Sequence, residues 1–276
     1  MTDIPHMVAP PNTCDSHVHI YDTTTPLVPW TTTPGPAWAT VSAYRDVQKR
    51  LGLTRSVVVQ ANAYGTDNTC TVNAIAELGL DKARGVATVD ADVTDSELKR
   101  LDEAGVRGAR VHLLSGGFLT FDKLELIAAK IAKYDWHIVL QMDGRFLHER
   151  ETMLQNLPCA LLIDHIGKFL EPVTVEHEGF RALLRLLSNG RTWLKLCGPY
   201  EVSKSGGPHY ADTSTLAKAA AAHKPDRMVW ASNWPHVWVK ELPDDQLMLD
   251  IVQEWIPDEK LRNMALVDNP AKLYRF

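Results

Sequence analysis

Short apolar runs alternate along the chain with longer segments whose apolar residues recur every three or four positions. Such runs, bounded by turn-forming residues, mark parallel strands buried on both faces. The first is Thr13–Ile20, followed by Ser56–Gln60, Gly85–Val89, Gly108–His112 and His137–Gln141. Ala160–His165, Thr192–Cys197 and Met228–Ser232 complete the series. Between them the periodicity predicts a helix over Ala43–Leu51 and another from the Tyr64–Asn68 turn through Leu78. Further helices are expected at Thr94–Ala104, Phe121–Tyr134, Leu147–Leu157, Glu178–Ser188 and Thr213–His223. Thr94 and Glu97 have the spacing of a capping box, in which hydroxyl and carboxylate each bind the other residue's amide. Two or three helices follow the last strand and end at Asp268–Tyr274.

Strand-then-helix alternation argues for a parallel sheet. Eight such units in 276 residues predict an α/β fold, a (β/α)8 TIM barrel. An open doubly wound sheet is the competing architecture. No GxGxxG or Walker sequence opens a strand-to-helix turn, which weighs against it. With no linker, repeat or low-complexity tract, residues 1–276 read as one domain. Thr23–Thr40 breaks the rhythm: its prolines at 26, 29, 34 and 36 remove backbone donors. A loop of this length with Trp30 and Trp38 reads as an ordered flap near a site.

Composition narrows the function. The hydrophobic fraction of 45% and charged fraction of 23% are those of an ordinary globular chain. A net charge of -5 gives no support for nucleic-acid or anionic-membrane partners. There is no long apolar run for a membrane span, and Met1–Pro11 lacks a signal pattern. The four cysteines, Cys14, Cys70, Cys159 and Cys197, form no CxxC pair, which favours a reducing cytoplasm over a thiolate zinc site.

In a barrel of this kind the active site lies at the C-terminal strand ends. His17 and His19 end the first strand, on one face and about 6–7 Å apart at Cα. Alone, the pair suits a metal clamp or a solvated loop. The other strand ends add Gln60 and Asn62, Arg110 and His112, Gln141 and Asp143, Asp164 and His165. Lys168 follows the sixth strand, Tyr200 and Lys204 the seventh, and Asn233 and His236 the eighth. One polar residue per strand end is what folding alone requires; this many converging on one rim points to a site. Neutral imidazoles at His17, His19 and His165 could hold a divalent metal or donate to a carbonyl oxygen. Arg110, Lys168 and Lys204 suit an anionic substrate. Asn62, Gln141 and Tyr200 can orient neutral oxygens. Asp143 and Asp164 either position a neighbouring His or cation, or cap helices; His112 and His236 are the weaker histidine candidates.

Several motifs taken in order resemble the amidohydrolase superfamily. They are Asp15-Ser16-His17-Val18-His19, Ile163–Lys168, Leu194–Gly198, Trp230–His236 and Asp268–Ala271. The likeness covers nearly the whole chain and is to the lactone-acting branch of 2-pyrone-4,6-dicarboxylate lactonases, 4-sulfomuconolactone hydrolases and galactarolactone isomerases. It implies hydrolysis of a small anionic lactone, with His17, His19 and His165 around the scissile carbonyl. It also implies that Arg110, Lys168 and Lys204 hold acidic groups. The position of the usual water-activating aspartate is Asn233, and an amide cannot take a proton from water. Zn2+ at His17, His19 and His165 could supply an activated water instead, or the chemistry could run without metal. Lactone isomerisation, with the substrate's own hydroxyl as nucleophile, is the alternative; so is a lactone binder without turnover. The resemblance leaves open whether the chain acts as monomer or homo-oligomer.

Overall fold

Eight parallel strands pair in sequence order, β1 to β8. They are β1 Cys14–Val18, β2 Arg55–Val59, β3 Ala83–Ala87 and β4 Val106–His112. β5 is His137–Gln141, β6 Leu161–Ile163, β7 Thr192–Leu196 and β8 Met228–Trp230. This computed structural model describes residues 4–31, 34–237, 239 and 241–276. Helices α1 Val41–Leu51, α2 Thr69–Leu78, α3 Asp95–Glu103 and α4 Phe121–Ile131 follow the first four strands. α5 Leu147–Gln155, α6 Glu178–Ser188 and α7 Ala211–His223 follow the next three. Four short helices come after β8: α8 Asp245–Asp250, α9 Val252–Trp255, α10 Glu259–Asn263 and α11 Asn269–Tyr274.

The strands divide their side chains by alternation. Val58, Ala87, Val111, Leu140 and Leu196 face the helices and join the larger apolar cluster. Val57, Val59, Val86, Val139, Leu162 and Val229 fill the interior, with Tyr274 of α11 in the same cluster. Each fully buried Val or Leu contributes about 1.5–3 kcal/mol, so the interior fixes the barrel before any polar residue acts. β8 meets β1 just past its end: Asn233 N–H donates to His17 O (3.1 Å) and His19 N–H to Trp234 O (2.9 Å). Buried Asp15 strengthens that seam, accepting from Ser232 N (2.9 Å), Ser232 Oγ (2.5 Å) and the Tyr44 hydroxyl (3.2 Å). The nearly closed barrel is therefore tied together where the two signature histidines emerge.

Two local expectations are corrected. β6 stops at Ile163 rather than His165, because His165, Ile166, Gly167 and Lys168 all have positive φ. A left-handed run cannot continue a ladder. The capping box is half made: Thr94 Oγ1 accepts from Glu97 N, but both Glu97 oxygens are bound by Arg100 at 2.7 Å. The 23–40 loop is largely exposed over its described part and touches the body of the protein through its two half-exposed tryptophans. Trp30 lies 5.6 Å from the Phe118 ring and Trp38 meets Trp234 edge-on at 5.8 Å. Thr32 and Thr33 of that loop lie outside the described residues. All four cysteines are buried and unpaired. No helix among the described residues is long and apolar enough to cross a membrane.

Candidate active site

A cavity of about 680 Å³ opens at the C-terminal strand ends. Its lining includes His19, Asn62, Arg110, Gln141, His165, Lys168, Tyr200 and Asn233, with Trp30 at the flap. His17 lies behind this wall, fully buried. Lys204 does not reach the cavity. Asp212 of α7 binds the Lys204 amide (2.7 Å), holding that loop outward, and the lysine side chain is exposed beside Glu171. The expectation that Lys204 docks substrate is corrected on that ground.

The histidines form a connected set. His19 Nδ1 is 2.8 Å from Val59 O, and a carbonyl only accepts, so the ring carries its proton on Nδ1. Its Nε2, left as an acceptor, is 3.0 Å from His17 Nε2. His17 Nδ1 in turn lies 2.9 Å from the Lys195 ammonium. Burial, reinforced by Lys195, holds His17 well below the usual imidazole range. Burial and Arg110 bring His19 down to about 3, and His165 is lowered mainly by burial. All three rings are neutral near pH 7. His165 Nδ1 meets the Cys197 sulfur at 3.1 Å, and burial keeps that thiol protonated. The left-handed backbone from His165 to Lys168 places both side chains at the cavity instead of in the ladder. Gly198 faces this turn at φ 60; a Cβ there would stand 3.0 Å from His165 Nδ1. The close approach requires glycine.

Arg110 is buried and aimed across the barrel mouth. Its two terminal nitrogens donate to Gln60 O (3.0 Å) and Gln141 Oε1 (2.9 Å), while its Nε has no partner among the described residues. A buried cation with a spare donor at a cavity wall suits an incoming anion. Asn62 and His112 contact one another beside it.

Across the cavity, Lys168 is paired with Glu201. The same carboxylate accepts from Asn233 Nδ2 at 2.6 Å. Asn233 also donates to Tyr200 OH (2.8 Å), which meets His236 Nδ1 at 2.7 Å, and His236 Nε2 rests on Asp245 at 2.7 Å. His236 thus sits behind the wall as a support. Asp143 and Asp164 separate: Asp143 accepts from Arg145 N (3.1 Å) and pairs with its guanidinium. Asp164 sits fully buried among His17, His165 and Lys195.

Two residues in this arrangement carry no role in the sequence reading. Glu201 follows strand β7 in a polar turn and looks like any loop carboxylate. Lys195 lies in mid-strand, and its signal was available: a lysine inside an apolar run that is buried on both faces must be paired.

His17, Asp164 and His165 bring ligand atoms within 4.8 Å of one another, a grouping of the kind that can hold a metal ion. The surroundings do not fit a resident divalent ion. The Lys195 ammonium already stands 2.7 Å from Asp164 Oδ1 and 2.9 Å from His17 Nδ1. His17 Nε2 must donate to His19, so it offers no lone pair. Asn233 adds no anionic ligand.

The sequence profile of the amidohydrolase family matches residues 14–276. The D-galactarolactone isomerase of Agrobacterium fabrum is 34% identical over 98% of this chain and 94% of its own length. The 2-pyrone-4,6-dicarboxylate hydrolase of Comamonas testosteroni is 34% identical over 98% of this chain and 92% of its own. An apo crystal structure from Agrobacterium tumefaciens superposes with a TM-score of 0.92 at 34% identity, covering 98% of this chain and 97% of that one.

Proposed function

The chain belongs to the amidohydrolase family, and from that premise we propose that it is a hydrolase opening a small anionic lactone by water attack on the ester carbonyl. The observation that carries the reading is the pairing of Arg110, with its free Nε, against a carboxylate-bearing wall at Glu201 and Asn233. In this reading Arg110 docks the acidic substituent of the ring, with Gln141, Asn62 and Tyr200 setting its orientation. His165 Nε2, protonated when the Cys197 thiol occupies Nδ1, donates to the lactone carbonyl and to the oxyanion that forms from it. Asn233 orients the attacking water but cannot take its proton. Glu201, bonded to Asn233, takes it. The tetrahedral intermediate collapses, the ring C–O bond breaks, and the departing oxygen receives the proton from Glu201. Lys168 holds Glu201 in place and balances its charge.

Zinc takes no part in this route, because Lys195 occupies the donor set. The buried, unpaired cysteines support a cytoplasmic setting. The substrate class is that of the relatives: 2-pyrone-4,6-dicarboxylate, sulfomuconolactone or an aldarolactone. Isomerisation stays the second reading because Asn233 leaves the eighth strand without a base, and an internal hydroxyl needs less of one. Incubating these lactones with the enzyme plus chelator, followed by NMR and by acid titration, tests the proposal. Acid release from at least one lactone is expected; a new ring without acid release would replace hydrolase by isomerase.

A further inference from the structure

The donor set that rejects a metal contains a cation of its own. We propose that Lys195 is a positioning residue whose ammonium, seated on Asp164, fixes His17 as its Nε2–H tautomer and stands where a divalent metal would otherwise bind. The two ends of the hydrogen-bond chain reach this result separately. From one end, Val59 O can only accept, so His19 holds its proton on Nδ1 and accepts at Nε2. The 3.0 Å contact then requires a proton on His17 Nε2. From the other end, an ammonium can only donate, so His17 Nδ1 must be the acceptor. A neutral imidazole satisfies both demands in one tautomer, and only in that one.

The charge is built in rather than adventitious. Lys195, His17 and Asp164 are each fully buried. Lys195 Nζ is 2.7 Å from Asp164 Oδ1 as an ion pair, and neither Asp164 oxygen has an aligned hydrogen-bond donor among the described residues. A buried pair of this kind is retained at an energetic penalty, so its presence at the strand ends asks for a role. Alternation along β7 turns Trp193, Lys195 and Cys197 to one side, which is why a strand residue reaches a histidine on β1. A divalent ion at His17, Asp164 and His165 would face this ammonium across a few ångströms of dry interior. Like charges that close repel strongly in an interior from which water is excluded. The ion would also have to remove the proton from His17 Nε2 before using it. This inference concerns the resting histidines and does not require the hydrolase reading; only its catalytic consequence, a fixed positive charge behind the carbonyl pocket, rests on that reading.

Long-range proton–nitrogen NMR of protein labelled with ¹⁵N-histidine reads the tautomer directly in the wild-type chain. His17 is expected as Nε2–H with an unprotonated Nδ1, unchanged when excess Zn2+ is added. Calorimetric titration with Zn2+ supplies the second arm: Lys195→Ala is expected to bind the ion about tenfold or more tightly than wild type. A wild-type His17 protonated on Nδ1 would overturn the proposal. So would wild-type protein that binds Zn2+ as tightly as Lys195→Ala does. Should Lys195→Ala fail to fold, the wild-type spectrum decides alone, and inactive protein with the expected spectrum would count against the hydrolase reading and not against this one.

Discussion

At the scale of single residues, the chemistry depends on where one carboxylate stands. Asn233 occupies the usual position of the base, yet its amide nitrogen binds a carboxylate from the neighbouring strand end at 2.6 Å. Glu201→Gln keeps an acceptor for Asn233 and removes the proton acceptor together with its ion pair to Lys168. Turnover should fall by about 10²–10⁴, the ordinary contribution of a general base, with the Michaelis constant changed far less. Steady-state kinetics on any substrate lactone checks this, and a loss below tenfold would remove Glu201 from the role. The placement of His19, His165, Arg110, Lys168 and Asn233 around one cavity, with His17 buried behind them, was legible, because strand ends in a barrel share a rim. Glu201 and Lys195 were not picked out, for opposite reasons. Glu201 sits in a turn, where carboxylates are common and folding brings it to Asn233 only through the strand β7–β8 contact. Lys195 sits in a strand whose apolar neighbours fit a buried run, and its partner Asp164 lies just past the end of β6.

At the scale of elements, the eight strands were readable from apolar runs because both faces of each are buried. The ends at His112 and Gln141 were readable as well, whereas β6 stops short of His165, where the backbone turns left-handed. The left-handed run from His165 to Lys168 includes Ile166 at φ 54, a conformation that β-branched residues avoid. Backbone bonds hold the turn: Gly167 N–H donates to Asp164 O (2.9 Å) and Lys168 N–H to His165 O (2.8 Å). Such strain persists where surrounding structure overdetermines it. Gly198 is the facing element of the same device. Gly198→Ala would force a Cβ against His165 and Asn233 Nδ2, at 3.0 and 3.3 Å, in a left-handed backbone. A loss of about 1–3 kcal/mol is expected, measurable by denaturant titration, together with reduced turnover. Unchanged stability and turnover would show that the turn tolerates displacement.

At the scale of the whole molecule, the barrel holds five wholly or largely buried histidines as neutral rings. Burial is the leading cause that lowers His17, His19, His112, His137 and His165. His19, His112 and His137 come down to about 3. In the unfolded chain these side chains titrate near 6.5. Stability from this source is therefore complete above that pH and is lost as pH falls from there towards 3. Each histidine contributes a slope of about 1.4 kcal/mol per pH unit in that window. Scanning calorimetry should find a melting temperature lower by on the order of 10 °C at pH 5.5 than at pH 7.5. A flat profile would mean that these rings are charged or solvated in the folded state.

In the proposed reaction, water activated by protein groups alone opens the lactone ring. Turnover of a reactive lactone in H₂¹⁸O with chelator present, read by mass spectrometry of the product, tests it most directly. One ¹⁸O atom is expected in the new carboxylate per turnover, at a rate unchanged by the chelator. A rearranged lactone free of ¹⁸O, or turnover that stops with chelator and returns with zinc, would contradict it.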